Sequence, residues 1–416
     1  MHALILLAFV LVGCGPTKDQ KRADRALSDY FAGDYEAARE RLRPAAKRAD
    51  ENFVLNNVRL GSCALIDYHL DEAEDAFLRA YEVINSVGVN DGGRSLGAAL
   101  VDEKIKIWKG EPFERAMANF YLGLIYYMRQ DYNNARGAFE NALFKLRDYA
   151  DKNDVKNDYR EQESNFGIAL VMLGKTWQKL GRDDLAHANF DRARDLRPDL
   201  AGLCDFERNA RSNLLLIVEF GNGPQKIADA DGSVVGFAPS PREAGAIPGP
   251  QVVIDRRSID VAELSRPPID LLEMAQDRRW QDIDTIRTIK DVAGTGLIVG
   301  GAAAGIYGAD RHRDDVALAG LAAMGAGMLL KASSQADVRY WEMLPRTVFI
   351  LPLHVEPGTH DLTVAFPHTG GLRQSWQDIV VPNTGEATYY IRMQRYGPVE
   401  RVWPPPGLAQ DLPANN

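Results

Sequence analysis

Residues 109–143 read KGEPFERAMANFYLGLIYYMRQDYNNARGAFENAL, and their spacing decides the architecture of the first half of the chain. Leu122, Tyr126 and Phe139 recur at helical periodicity, as residues that fill a layer between two helices must. Gly123 and Ala135 are small where those two helices would touch, and Ala142 completes the pattern. The template fits again at Leu173, Gly174, Trp177, Gly181, Ala186, Phe190, Ala193 and Pro198, with Gly181 in the turn and Pro198 closing the unit. A third fit lies at Leu60, Gly61, Ala64, Ala73, Phe77 and Ala80. A weaker one runs through Gly33, Tyr35, Ala38, Leu42 and Ala45, with an abbreviated first helix.

Small and aromatic residues at these offsets are the signature of the tetratricopeptide repeat (TPR), and four units exceed the roughly three such an array needs for stability. Residues 85–115 interrupt the period with a glycine-rich stretch and then Trp108-Lys109-Gly110-Glu111-Pro112. A charged insertion at 148–161 reads as a solvated loop or helix extension. The first helix of each unit faces the concave side, where the period places Leu55, Val58 and Leu65, then Met117, Phe120, Leu124 and Tyr127, then Ile168 and Val171. So apolar an inner face is either a protein-binding groove or a surface covered by the chain's own second half.

The chain opens with an uncharged apolar run at residues 3–12, followed by Gly13 and Cys14. Such a run is too short to span a bilayer, which takes about 20 residues, and suits a signal-peptide core. Leu11-Val12-Gly13-Cys14 resembles the bacterial lipobox, in which the cysteine thiol takes a diacylglyceryl group and becomes the mature N-terminus. That resemblance makes Cys14 a lipid-attachment site, and Gly15, where an aspartate would favour retention at the inner membrane, implies delivery to the outer one.

Past residue 212 the pattern turns strand-like at LLLIVEF (214–220), before the turn cluster Gly221-Asn222-Gly223-Pro224. Short strands are expected near 233–237 and 251–255, and helix returns over 268–291. Residues 292–309 and 316–330 are uncharged, small-residue runs with glycines and alanines four apart, which predicts a close helical hairpin. From Thr347, VFILPLHVEPGTHDLTVAF alternates around Glu356-Pro357-Gly358-Thr359, and ATYYIRM (387–393) supplies another strand. The fold class expected is α+β, a TPR α-solenoid followed by a discontinuous small β-sandwich-like domain with an inserted glycine-rich hairpin. Its divisions are signal peptide 1–13, lipidated N-terminus and linker 14–18, repeats 19–212, strands 213–262, helical segment 263–345, strands 346–396 and Pro-rich tail 397–416.

Forty-nine Lys and Arg against 58 Asp and Glu leave a formal charge of −9, which would repel a phosphate backbone, so nucleic acid is not an expected partner. Only Cys14, Cys63 and Cys204 occur; no disulfide framework is available, and Cys63 and Cys204 are expected as buried thiols, with a single bridge between them the alternative in an oxidising compartment. No Gly-rich phosphate loop ending in Lys-Ser/Thr, G-x-S-x-G elbow or H-E-x-x-H helix is present. Asp183/Asp184 and Asp314/Asp315 lie in polar turns where nothing would raise a carboxyl pKa. His354, His360 and His368 with Asp361 are the one grouping from which a metal site could be drawn, and surface or turn histidines account for them better. No cofactor, metal site or catalytic residue is expected.

The order of parts resembles a family of TPR-bearing lipoproteins of Gram-negative bacteria in which a lipobox, degenerate repeats and a β-rich C-terminal region follow one another. Residues 109–143 and ADVRYWEMLPRTVFI (336–350) carry the resemblance. In the second segment Asp337, Arg339 and Trp341 read as an ion pair and a tryptophan pinning the helical hairpin to the sheet. The resemblance implies a part in envelope biogenesis; the groove makes envelope proteins or peptides the expected partners, the lipobox-like start a lipid-anchored place facing the periplasm, and the lack of catalytic motifs a protein that is not an enzyme. The sequence leaves two other classes open: a membrane-inserting or pore-like component using 292–330, and an envelope enzyme acting on glycans or peptides.

Overall fold

Among the described residues of the first half of the computed structural model, eight helices form four consecutive pairs: α1 (Lys18–Ala32) with α2 (Tyr35–Ala46), α3 (Phe53–Ile66) with α4 (Leu70–Asn85), α5 (Pro112–Met128) with α6 (Tyr132–Phe144), and α7 (Gly167–Lys179) with α8 (Asp183–Leu196). The structure describes residues 18–85, 107–146, 148–149, 161–162, 165–228, 234–240, 247–277, 338–367, 371–394 and 398–402. Within three pairs a glycine of the first helix meets a phenylalanine 16 positions on. A Cβ on Gly61 would lie 2.7 Å from Phe77, one on Gly123 2.7 Å from Phe139, and one on Gly174 2.5 Å from Phe190. The ring occupies the space a side chain would need, so helix-to-helix distance is set by what the glycine lacks.

Seven positions after each glycine the chain turns with positive φ, at Tyr68 (57°), Gln130 (61°) and Gly181 (68°). The first pair obeys the same offsets with other residues. Its turn is Gly33 (φ 81°), its small residue Ala26 and its filler Leu42, both fully buried. Its first helix is therefore a full 15 residues and not abbreviated as expected. Alanine and leucine in place of glycine and phenylalanine hid it.

α5 begins abruptly because Pro112 at its first turn needs no partner for an amide. A capping box adds to this, with Glu111 and Glu114 each accepting from the other's backbone region. At the charged insertion, β1 (Asp148–Tyr149) pairs antiparallel with β2 (Glu161–Gln162), so its ends are a short ladder where a loop or helix extension was expected.

The second half begins after a short α9 (Phe206–Arg211). β3 (Leu214–Phe220) is the centre of a three-stranded sheet, antiparallel to β8 (Thr347–Leu353) and parallel to β11 (Ala387–Met393), with every residue of β3 in register with both. β3 and β8 are buried along their whole length, which is why their sequences are continuous apolar runs instead of alternating ones. One side meets the repeats, with α3 and α5 packed on β11. The other meets a five-stranded sheet of order β12-β10-β9-β6-β7, made of β6 (Gln251–Ile254), β7 (Arg257–Ile259), β9 (Gly358–Ala365), β10 (Arg373–Val381) and β12 (Pro398–Val402). Phe366 links the two, its ring centroid 4.4 Å from that of Phe220 and 5.6 Å from that of Phe349.

In β10 buried and exposed residues alternate either side of a bulge between Trp376 and Ile379, so this outer sheet is covered on one face only. A separate hairpin, β4 (Gln225–Ala228) with β5 (Val234–Ala238), and a one-turn helix α10 (Leu271–Gln276) lie against α5. β12 occupies 398–402, residues assigned above to a Pro-rich tail; the first proline of that region, Pro398, starts an edge strand, where a missing amide costs nothing. The expected hairpin at 292–330, most of the expected helix 268–291 and Cys14 lie outside the described residues.

Candidate functional site: the filled concave face

All nine residues expected to line a groove are buried, from fully for Leu65, Met117, Phe120, Leu124, Ile168 and Val171 to 2% exposed for Leu55 and Tyr127. They belong to one continuous apolar cluster that includes β3, β8 and β11. As a surface open to a separate protein the concave face does not exist here: β11 and the segment Tyr340–Leu344 occupy it. Phe120 is placed differently again, against Phe139 of α6 and Phe166, so it belongs to the layer between helices.

Polar side chains fasten the occupant. Tyr68, at the turn after α3, donates its hydroxyl to the carbonyl of Tyr390 (2.6 Å) and accepts from the amide of the same residue (2.8 Å). It thereby stands in for the missing neighbour of edge strand β11. Trp341 is buried against Phe77 and Tyr121, and its indole N–H donates to Ser62 Oγ (3.1 Å). Its amide donates to Glu114 Oε1 (2.6 Å). Trp341 thus pins the second half to α3 and α5; the hairpin it was expected to hold lies outside the described residues. Arg339 turns to the carbonyl of Glu51 (2.7 Å) and to Asn52, and Asp337 lies outside the described residues. Arg59 grips Glu342, with Nε donating to Oε2 at 2.9 Å.

Three buried ionic groups join the halves. Glu386, at the entrance to β11, takes Lys175 Nζ at 3.0 Å and Lys179 Nζ at 2.9 Å from α7, and accepts from the Tyr127 hydroxyl at 3.1 Å. Burial alone would raise its pKa, but the two ammonium groups outweigh it and hold the carboxyl below its ordinary range. The same burial lowers Lys175, only partly countered by Glu386. Glu219 of β3 accepts from the Tyr121 hydroxyl and faces Arg392 at 3.5 Å, and burial pushes its pKa up against the pull of Arg392. Arg392 also donates to the carbonyl of Gly221 (2.6 Å) and to Tyr30 of α1 (3.2 Å). Lys226 of β4 pairs with Glu111 at 2.6 Å, beside Glu114, whose carboxyl burial raises to about 8.

Sequence reasoning missed this set. A signal was present: Glu219 inside LLLIVEF and Lys175 inside an apolar helix are charges where burial is certain, and a buried charge requires a partner.

His354 and His360 do not converge. His354 Nδ1 contacts the Arg211 carbonyl at 3.0 Å, and His360 uses both ring nitrogens locally, on Asp255 (2.5 Å) and the Glu356 carbonyl (2.7 Å). His368 lies outside the described residues. Among those described, no group of three potential metal ligands forms, and no helix is long and apolar enough to cross a membrane. Cys63 and Cys204 are buried free thiols.

No family model and no curated protein matches the chain. Solved structures of MamA are similar to part of it: one at 16% identity and TM-score 0.29, over 45% of this chain and 85% of that one, and a second at 16% and 0.31, over 46% and 84%. A third, MamA AMB-1, shows 19% identity and a TM-score of 0.27. The likeness is loose at such scores. The assignment of TPR-like pairs rests on their own geometry, the repeated glycine–phenylalanine contact and the turn seven residues after it.

Proposed function

We propose that the protein is a non-catalytic protein-binding scaffold, a lipoprotein anchored through Cys14 in the outer membrane, facing the periplasm and serving envelope biogenesis. What supports the scaffold reading is the clasp itself. Four helix pairs closed around the chain's own sheet make a rigid body whose second helices and outer sheet face are turned outward, and rigid surfaces bind with little ordering cost. Envelope proteins would then dock outside, on α2, α6 and α8 or on the open face of the five-stranded sheet, and not in the concave face. The lipid anchor is read from residues 11–14, where Gly13 leaves the backbone narrow for cleavage and Cys14 supplies the thiol.

Photo-crosslinking residues placed singly at the exposed positions Glu40, Glu140, Asp195 and Gln377 in growing cells test the docking reading. Defined protein adducts at one face support it; the absence of adducts at all four overturns it. Mass spectrometry of the mature N-terminus tests the anchor. A diacylglyceryl group on Cys14, lost with Cys14→Ser together with membrane association, is expected, and a free thiol there would end that reading.

A further inference from the structure

We propose that the end of the first helix pair lies against an anionic phospholipid surface, a docking that rests on the lipid-anchor reading of Cys14. In a chain with nine more acids than bases, Lys18, Lys21, Arg22 and Arg25 fall at i, i+3, i+4 and i+7 of α1, one stripe of the helix. Lys21, Arg22 and Arg25 are exposed. α2 returns antiparallel to α1, which sets its C-terminal end, with the exposed Lys47 and Arg48, beside the start of α1. Two of the three acids on α1 are engaged elsewhere. Asp24 is half-buried beside Arg59 and Glu342, and Asp29 is paired with Arg41. Glu51, on the following turn, is the exposed acid nearest in sequence to Lys47 and Arg48.

Position makes this cluster more than a solvated face. Lys18 is four positions beyond Cys14, and a chain spans at most about 3.6 Å per residue, so α1 would begin within about 14 Å of an acylated cysteine. The helix then advances only about 1.5 Å per residue toward Arg25. Anionic headgroups attract cations over about one Debye length, some 8 Å at physiological salt. Each Lys or Arg held there strengthens binding roughly fivefold. The stripe would add to the acyl anchor and fix which face of the repeat array the membrane sees.

Partition of the full chain into phosphatidylcholine vesicles, with and without phosphatidylglycerol, measures this directly. The wild-type protein is expected to prefer the anionic vesicles at least tenfold at low salt and to lose that preference at high salt. The triple variant K21E/R22E/R25E should lose the preference while keeping its partition into neutral vesicles. The same charge change made at Arg256, Arg257 and Arg266, exposed around the β6–β7 turn and the loop after it, should leave the preference largely in place. Equal partition of the wild-type protein into both vesicles, or an equal fall in both triple variants, overturns the proposal. Failure of the anchor is a separate result: no acyl mass on Cys14 and weak partition into neutral vesicles, whatever the anionic preference.

Discussion

At the scale of single residues, one chemical change has opposite effects according to what stands over the Cα. Gly123→Ala puts a methyl group 2.7 Å from the Phe139 ring, inside contact distance, and the helices must part. We expect it to destabilise the protein by about 1–3 kcal/mol. Gly137, in α6, has nothing within 4 Å of such a methyl group, and Gly137→Ala should stabilise by about 0.5–1 kcal/mol through chain entropy alone. Urea denaturation of the two variants decides; destabilisation by both would mean that the helix pairs are packed otherwise. His360 supplies a pH effect. Its pKa is raised above the ordinary 6.5, first by its bond to Asp255, whose own pKa lies below the ordinary 3.8. The histidine's contribution is fully present below its unfolded pKa and is lost as the pH rises through the folded one. The aspartate's is present above its unfolded pKa and lost as the pH falls through the depressed value. The gap in denaturation midpoint between wild type and His360→Asn should therefore be wide near pH 6 and close as the pH is raised past the folded pKa of His360; a gap that does not change would assign the residue a packing role only.

At the scale of elements, β11 is the strand on which the clasp closes, and its outer edge is completed by a side chain. Tyr68 keeps a left-handed backbone where the last unit has Gly181, because its hydroxyl must reach Tyr390. Tyr68→Phe leaves a buried N–H and C=O without partners at about 1–3 kcal/mol each. Hydrogen exchange should show the amide of Tyr390 losing protection first, and unchanged protection there would mean that the hydroxyl is dispensable. Glu386→Gln strands two lysines, one of them wholly buried, and should cost about 3–5 kcal/mol. Melting temperature checks it, and a fall of less than a few degrees would show the lysines to be satisfied without the carboxylate. How much of this could be read from the chain follows from the range of each signal. Strands β3 and β11 were legible at their true limits, since apolar runs bounded by turns are local patterns; three of the repeat units were legible by their glycine and phenylalanine, which lie 16 residues apart, though not by their limits. β10 and β12 were not, because RQSWQDIVV contains a bulge that breaks the alternation and PVERV begins with proline in a region rich in it. The polar clasp was beyond local reading altogether: Tyr68 with Tyr390, or Arg59 with Glu342, are pairs some 300 residues apart, which only the folded chain brings together.

At the scale of the whole molecule, the filling of the concave face changes how the protein should unfold. An open repeat array is nearly one-dimensional, each unit touching only its neighbours, so its ends fray and its stability is a sum over units. Here α1 is tied to β11 through Tyr30 and Arg392, α3 through Tyr68, α5 through Tyr127 and α7 through Lys175 to the approach to β11, so every first helix touches the same strand or its entrance. Such cross-bracing couples the units, and the described core should melt as one. Calorimetry of the full chain is expected to give a single main transition whose van't Hoff and calorimetric enthalpies agree over these elements. A chain ended after Arg211 would leave Leu55, Val58, Leu65, Leu124 and Val171 without the sheet that covers them. It should bind a hydrophobic dye and lose cooperative melting. If that shortened chain instead melts sharply and binds no dye, the repeats fold without the sheet, and the concave face is a groove that the second half merely visits.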